Sequence, residues 1–265
     1  MTPEGPPPPR DRADDTLDLH LGAETVAVLP RAPVDMAAPP GDLLDHVAAW
    51  GPAATDAGEF EFVPVDLDRD LGMLARWMND PAVAQFWELE GPAAATERHV
   101  RAQLDGDGRS VPCLGVLDGV PMSYWEVYRA DLDPIARYYP ARPQDTGLHL
   151  LIGAVRDRGR GLGATLLRAA ADLVLDNRPA GTRVIAEPDL RNTPSVAAFL
   201  TAGFRFSAEV RLPEKTAALM IRERALRHRL GPPVSPPTTP RKAGSAPRNS
   251  PASPPTSSVQ PTPSN

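Results

Sequence analysis

The eight residues from Arg156 to Gly163, RDRGRGLG, interleave three arginines with three glycines, and this is the spacing in the chain that most plainly implies chemistry. An apolar, strand-like run, LHLLIGAV, feeds the turn, and a segment with Leu162, Leu166, Leu167, Ala170, Leu173 and Val174 on one helical face follows it. A strand, a glycine-rich turn and a helix N-terminus together make an anion site, because backbone N–H groups and the positive end of the helix dipole aim at one spot. Gly159, Gly161 and Gly163 put no Cβ in the path of an approaching phosphate. The chemistry on offer is capture of a phosphorylated ligand.

The spacing narrows that ligand. A dinucleotide loop needs GxGxxG with an acidic residue about 20 positions on, and Glu187 lies too late for that role. A Walker loop needs a lysine before Ser or Thr, and this turn has none. What stands here is Arg158-x-x-Gly161-x-Gly163, which resembles the R/Q-x-x-G-x-G/A pyrophosphate loop of the GNAT acyltransferases. The resemblance implies that Arg158, Gly159, Arg160, Gly161 and Gly163 hold the pyrophosphate of an acyl-CoA, acetyl-CoA by default. A plain strand-to-helix turn without a ligand is the alternative, and three arginines in such a turn argue against it.

The elements that must position this loop can be read outward from it. EFVPVDL alternates as a strand, and DRDLGMLARWMND follows as a helix that Asp68 caps and Pro81 stops. FWELEGP reads as a loop carrying aromatics, and a second helix begins at Thr96. SVPCLGVLDGVPMSYWEVYRA is a hairpin turning at Asp118-Gly119. After the glycine turn and its helix come the strand TRVIAEPD, the helix TPSVAAFLTAG capped by Asn192, and a last antiparallel pair, FRFSAEVRLP and KTAALMIRE. The order β, α, α, β, β, β, α, β, α, β, β predicts an α/β (α+β) domain with a mixed, mostly antiparallel central sheet flanked by four helices.

Composition bounds the rest. Residues 231–265 hold 11 prolines and no acidic residue, so they are expected to be a disordered tail. Residues 1–58 read as a largely flexible extension with a short strand or helix in it, DLLDHVAAW being the helical candidate, and residues 59–230 as the domain. A net charge of −6 argues against a nucleic-acid partner. The single cysteine, Cys113, excludes a disulfide framework and reads as a small buried residue; no metal site is expected. No apolar run is long enough for a membrane span and no signal core opens the chain, so a cytoplasmic protein is expected.

The element order matches the GNAT fold throughout, and more residues carry a narrower resemblance. GLHLLIG with RGRGLG, AEPDLRN, the later GF, LPEKTAALMI, and upstream SYWEVY and FWELEGP are similar to the siderophore-biosynthesis acyltransferases, the branch of the aerobactin acetyltransferase and the mycobactin lysine acyltransferase. The likeness spans about residues 60–224. It implies acyl transfer to the side-chain nitrogen of N6-hydroxylysine or a similar diamine in hydroxamate siderophore assembly. A siderophore synthetase or an amine mono-oxygenase would be a partner. The family's pantetheine arm pairs with the strand before the loop, here through Leu151 and Ile152, with Asn192 a further cofactor contact. Its histidine falls on His149 and its aspartate on Asp189, implying a general base and a group that orients it or holds the acceptor. Trp87 would wall the acceptor, with Tyr124 and Glu126 facing it. Two alternatives stay open. One is an aminoglycoside-type N-acetyltransferase with an acidic cleft from Glu88, Glu90 and Glu126. The other is a silent acyl-CoA-binding scaffold whose PPVSPPTTP segment recruits a partner as polyproline II.

Overall fold

The computed structural model describes Leu44 and residues 46–227, so the expected proline-rich tail and most of the extension lie outside the described residues. Within them, the strands are β1 (Ala53–Thr55), β2 (Gly58–Pro64), β3 (Ser110–Leu117), β4 (Val120–Arg129), β5 (Thr146–Ile152), β6 (Arg183–Ala186), β7 (Arg205–Arg211) and β8 (Thr216–Glu223). The helices are α1 (Leu67–Met78), α2 (Pro81–Trp87), α3 (Ala93–Leu104), α4 (Leu162–Asn177) and α5 (Thr193–Thr201). One sheet runs β1-β2-β3-β4-β5-β6-β8-β7, and every neighbouring pair is antiparallel except β5 with β6.

Strand alternation sorts the core into two layers. Trp125, Val127 and Leu148 face the side covered by α4 and α5, where Leu166, Leu167, Val174 and Phe199 are buried. Tyr124 and Leu151 face the other side, packed with Leu74 and Met78 of α1, Val83 of α2 and Val100 of α3. The hairpin turns where expected, with Asp118 at φ 48° and Gly119 at φ 75°, the positive pair that a two-residue turn needs. Cys113 is fully buried, and burial pushes its thiol up.

Four local readings need correction. The cap of α1 is Asp66, not Asp68: Asp66 sits in extended backbone and its carboxylate accepts from the N–H groups of Asp68 and Arg69, while Asp68 lies in the first turn. Pro81 does not merely stop α1. It opens α2 at the position where proline's fixed φ suits a helix, and Asp80 caps it through Ala82 N at 2.9 Å. Phe86 and Trp87 therefore end a helix rather than ride a loop, giving five helices among the described residues. Helix α3 starts at Ala93, ahead of Thr96. Leu44 and Val47, from the expected extension, are buried in the same core as Phe62, and β1 pairs with β2.

The feature that positions a site is the short parallel pair. Strands β5 and β6 pair only at Thr146 with Val184 and Gly147 with Ile185, so β5 runs on from Leu148 with β4 alone beside it. A buried ion pair pins the closed end: Arg183 Nε donates to Asp145 Oδ1 at 3.0 Å, Tyr139 donates to Asp145 Oδ2 at 3.0 Å, and Asp145 is fully buried. Beyond β6 the chain leans on β8 instead, through Ala218 N to Pro188 O and Leu190 N to Thr216 O. The sheet is thus split at its middle.

Candidate active site

The split leads to the glycine loop. Helix α4 begins at Leu162 with Gly161 as its cap residue, at φ 81°, and no side-chain hydrogen bond caps its N-terminus. A Cβ built on Gly159 or Gly161 meets nothing within 4 Å, so the space above the loop is open to a phosphate. Arg156 and Arg160 are exposed beside it. The guanidinium of Arg158 is used differently from the sequence expectation. It donates to Ile152 O at 2.9 Å, to Gly153 O at 2.6 Å and to Asp80 Oδ1 at 2.8 Å, tying the end of β5 to the cap of α2. The amides of the α4 N-terminus and the exposed arginines are what the loop presents to a pyrophosphate.

The open edge of β5 supplies the second requirement of an extended cofactor arm. Gly153 N donates to Met122 O, and by the alternation of an antiparallel ladder the backbone groups of Leu151 and His149 also turn to β4, those of Leu150 and Ile152 to the gap. Leu150 lines the gap; Leu151, named from the sequence, sends its side chain into the core under α1–α3. Asn192 caps α5 through Ser195 N at 3.1 Å and also lines the gap. These residues and the open loop fit an acyl-CoA: a polar strand edge for the amides of its arm, and unhindered backbone N–H groups for its phosphates.

A cavity of about 340 Å³ passes through the gap, from Asn192 and Phe199 on the α5 side to Trp87 and His149 on the other. His149 lines it, held between two carboxylates. Its Nδ1 lies 2.9 Å from Glu126 Oε2, and its Nε2 bonds Glu187 Oε1. Glu126 is itself a hub: its Oε1 lies 2.5 Å from His99 Nε2 and accepts from Gln103 at 2.6 Å and Tyr124 at 3.0 Å. Tyr128 donates to Glu187 Oε2 at 2.6 Å. Gly147 makes room for this, since a Cβ there would sit 2.0 Å from the Tyr128 ring.

The electrostatics follow from that arrangement. Burial pulls the His149 imidazole down, but the two carboxylates outweigh it and raise it to about 10. Burial would raise both glutamates; hydrogen bonds and charge from His149 and His99 hold Glu126 well below the usual carboxylate range, and His149 holds Glu187 down to about 2. At neutral pH the unit is an imidazolium between two carboxylates.

The structure brings Trp87, Tyr124, Glu126 and His149 together. Trp87 meets Tyr124 edge-on at 5.5 Å and His149 at 6.2 Å between ring centroids. Asp189 lines the same cavity, but its partner is Arg191, at 2.7 Å, and not His149. The carboxylates bonded to His149 are Glu126 and Glu187. The sequence assigns Glu187 no role beyond lying too late for a dinucleotide loop; its signal is in TRVIAEPD, where Ile185 and Glu187 share one strand face. His99 and Gln103, one helical turn apart on α3, carried no separate signal. Of the acidic residues considered for a cationic acceptor, Glu88 and Glu126 line the cavity and Glu90 does not.

Comparison with known proteins agrees with this geometry. The family described as acetyltransferase (GNAT) domain matches residues 66–212. The lysine N-acyltransferase MbtK of Mycolicibacterium paratuberculosis is 37% identical over 76% of this chain and 78% of its own length. The N(6)-hydroxylysine O-acetyltransferase of Escherichia coli is 34% identical over 58% of this chain and 49% of its own length. Among solved structures, an uncharacterized protein from Bacillus halodurans superposes with a TM-score of 0.63 at 34% identity, covering 68% of this chain and 94% of that one. The aminoglycoside acetyltransferase AAC(6')-Ib, solved with coenzyme A, gives 0.58 at 24% identity over 64% and 98%, a likeness of fold. The split sheet, the glycine loop at the head of α4 and these relatives lead to one conclusion: the chain belongs to the GNAT acetyltransferase family and is an acyl-CoA-dependent acyltransferase.

Proposed function

We propose that this chain transfers an acyl group from acyl-CoA to the side-chain nitrogen of N6-hydroxylysine, or a closely similar diamine, in hydroxamate siderophore biosynthesis. The observation that carries the reading is the Glu126–His149–Glu187 unit lining the gap, in a chain related to acyltransferases named for lysine and N(6)-hydroxylysine. The acyl arm lies along the open edge of β5, with its pyrophosphate on the α4 N-terminus. The acceptor nitrogen meets the thioester at His149 and attacks its carbon directly, forming the N–C bond; the C–S bond then breaks and coenzyme A leaves as its thiolate, which takes up the proton that the nitrogen has lost.

The attacking nitrogen must lose a proton. His149 is raised to about 10, so near neutral pH it already carries its proton and is not by itself the base. We assign the proton to the unit as a whole. Its two carboxylates and one imidazolium carry a net negative charge, and Glu187 opens on the cavity. A carboxylate held near 2 is a weak base, but the nitrogen becomes cationic as it attacks and its N–H becomes acidic, so a weak base suffices. A hydroxylamine nitrogen reaches the site uncharged near neutral pH, unlike an alkylamine. Asp189, at the cavity wall, has its charge met by Arg191 and is not assigned to orient His149.

Thiol release from acetyl-CoA with N6-hydroxylysine, N5-hydroxyornithine, lysine and an aminoglycoside is the test. Preference for N6-hydroxylysine or lysine is the expected result. Preference for the aminoglycoside would overturn the acceptor assignment and leave the acyl-CoA site standing.

A further inference from the structure

A second cavity, of about 490 Å³, opens on the same face of the sheet and meets the first at His99, Glu126 and His149. It runs from that trio along Ser110 and Arg129 to the loop after β4, where Asp133 lines it. Two cavities converging on one proton-handling unit are what direct transfer between two substrates requires. The first has the features that suit the acyl arm: the open strand edge, the gap and the glycine loop. The second has none of these, and charged side chains, Arg109, Glu126, Arg129 and Asp133, stand around it.

The charges of that wall are mostly spoken for. Arg129 pairs with Asp131 at 2.9 Å, Arg109 with Asp107 at 2.6 Å, and Glu126 with the two histidines. Asp133 is the exception. One carboxylate oxygen accepts from Ile135 N at 2.9 Å, capping the short turn Pro134–Arg137, and no ion pair with a described cation involves it. It is half-buried, and burial raises its carboxyl above the ordinary value, with the charges of Glu187 and Glu126 adding to that and His149 opposing it. Asp133 and His149 line the same cavity. A carboxylate kept partly from water without its own cation invites an ammonium group.

We infer that this cavity receives the amino-acid head of the acceptor, with Asp133 binding its α-ammonium while the four-carbon stem reaches to His149. The acceptor would then be a free α-amino acid, taken before its α-nitrogen is joined to anything else. The inference rests on the proposed acyl transfer to a lysine-like nitrogen, and names where the remainder of that substrate lies.

Asp133→Asn is the informative variant, because asparagine retains the cap to Ile135 N and removes only the charge. The full chain is assayed for thiol release with acetyl-CoA and either N6-hydroxylysine or its Nα-acetyl derivative. Binding of lysine in the presence of coenzyme A is followed separately by calorimetry. A charged hydrogen bond lost from a half-buried site predicts a KM for N6-hydroxylysine about 10- to 100-fold higher in Asp133→Asn, with kcat and the KM for acetyl-CoA within about twofold of wild type. Nα-acetylation should weaken the wild type by a similar factor and the variant hardly at all. Equal use of both acceptors by the wild type, or an unchanged acceptor KM in the variant, would overturn the inference while leaving the acyltransfer assignment intact. Lysine binding that depends on Asp133 without any turnover would do the reverse, and neither binding nor turnover of amino acids would remove both.

Discussion

Glu187→Gln tests the central unit most sharply. The glutamine side chain has the same shape and still offers an oxygen to His149 Nε2 or Tyr128, so the perturbation is the loss of one negative charge. Two charge-assisted bonds become neutral ones, each weaker by about 1 kcal/mol, which for a domain of this size corresponds to a melting temperature lower by about 4–8 °C. The larger effect is chemical. Without the carboxylate that opens on the cavity, turnover should fall by a factor on the order of 10² to 10⁴, while acetyl-CoA binding by calorimetry barely changes. The pH dependence carries an independent check. In the wild type His149 is raised to about 10, so its protonated pairing contributes fully below its unfolded value of about 6.5 and is lost only as pH rises through about 10. The wild-type kcat/KM should therefore show no inflection from His149 between about pH 6 and 8. Removing Glu187 takes away the strongest influence raising it, and an inflection should move down toward the ordinary imidazole range. The assay is thiol release over that pH span alongside thermal melts. Turnover of Glu187→Gln within about threefold of wild type, or a wild-type inflection near 6.5, would refute the assignment of the proton to this unit.

Three further outcomes follow from the geometry. Gly161→Val forces a β-branched residue to φ 81° at the mouth of the anion site, and calorimetry should find acetyl-CoA binding weakened at least about tenfold; unchanged affinity would remove the loop from the cofactor site. Arg183→Ala leaves the fully buried Asp145 without its cation and should cost about 3–5 kcal/mol in denaturant unfolding, with the β5–β6 junction loosened; a loss under about 1 kcal/mol would mean that the pair does not pin the split. Gly147→Ala places a methyl 2.0 Å from the Tyr128 ring, so it should lower turnover by displacing Tyr128 from Glu187 and lower the melting temperature by several degrees; wild-type behaviour in both would show that the ring yields freely.

Much of the molecule was legible before any coordinates, and the reason is locality. The strand, glycine turn and helix around Arg158–Gly163 follow from backbone sterics and from apolar residues three and four apart, and Asp118-Gly119 turns the β3–β4 hairpin through the φ values of those two residues alone. The mixed, mostly antiparallel sheet follows from the order of the elements. Local reading failed where two choices were locally equivalent. Asp66 and Asp68 are both competent caps, and Pro81 ends one helix and begins the next with equal stereochemical right. The site itself was only half legible. His149 and Trp87 were named through the family resemblance and Tyr124 and Glu126 through strand alternation, but the partners of His149 were not named. Glu126 reaches it because β4 and β5 pair in one register, which sets the two residues directly opposite. Glu187 reaches it from 38 positions along the chain because β6 abandons β5 after two residues and stops beside it. Asp189, two residues further on, is carried past to Arg191 and the wall of β8. Sequence determined which groups could do the chemistry. Only the long-range strand register and the splitting of the sheet decided which of them meet, because those contacts are paid for by the closure of the whole domain and leave no mark on neighbouring residues.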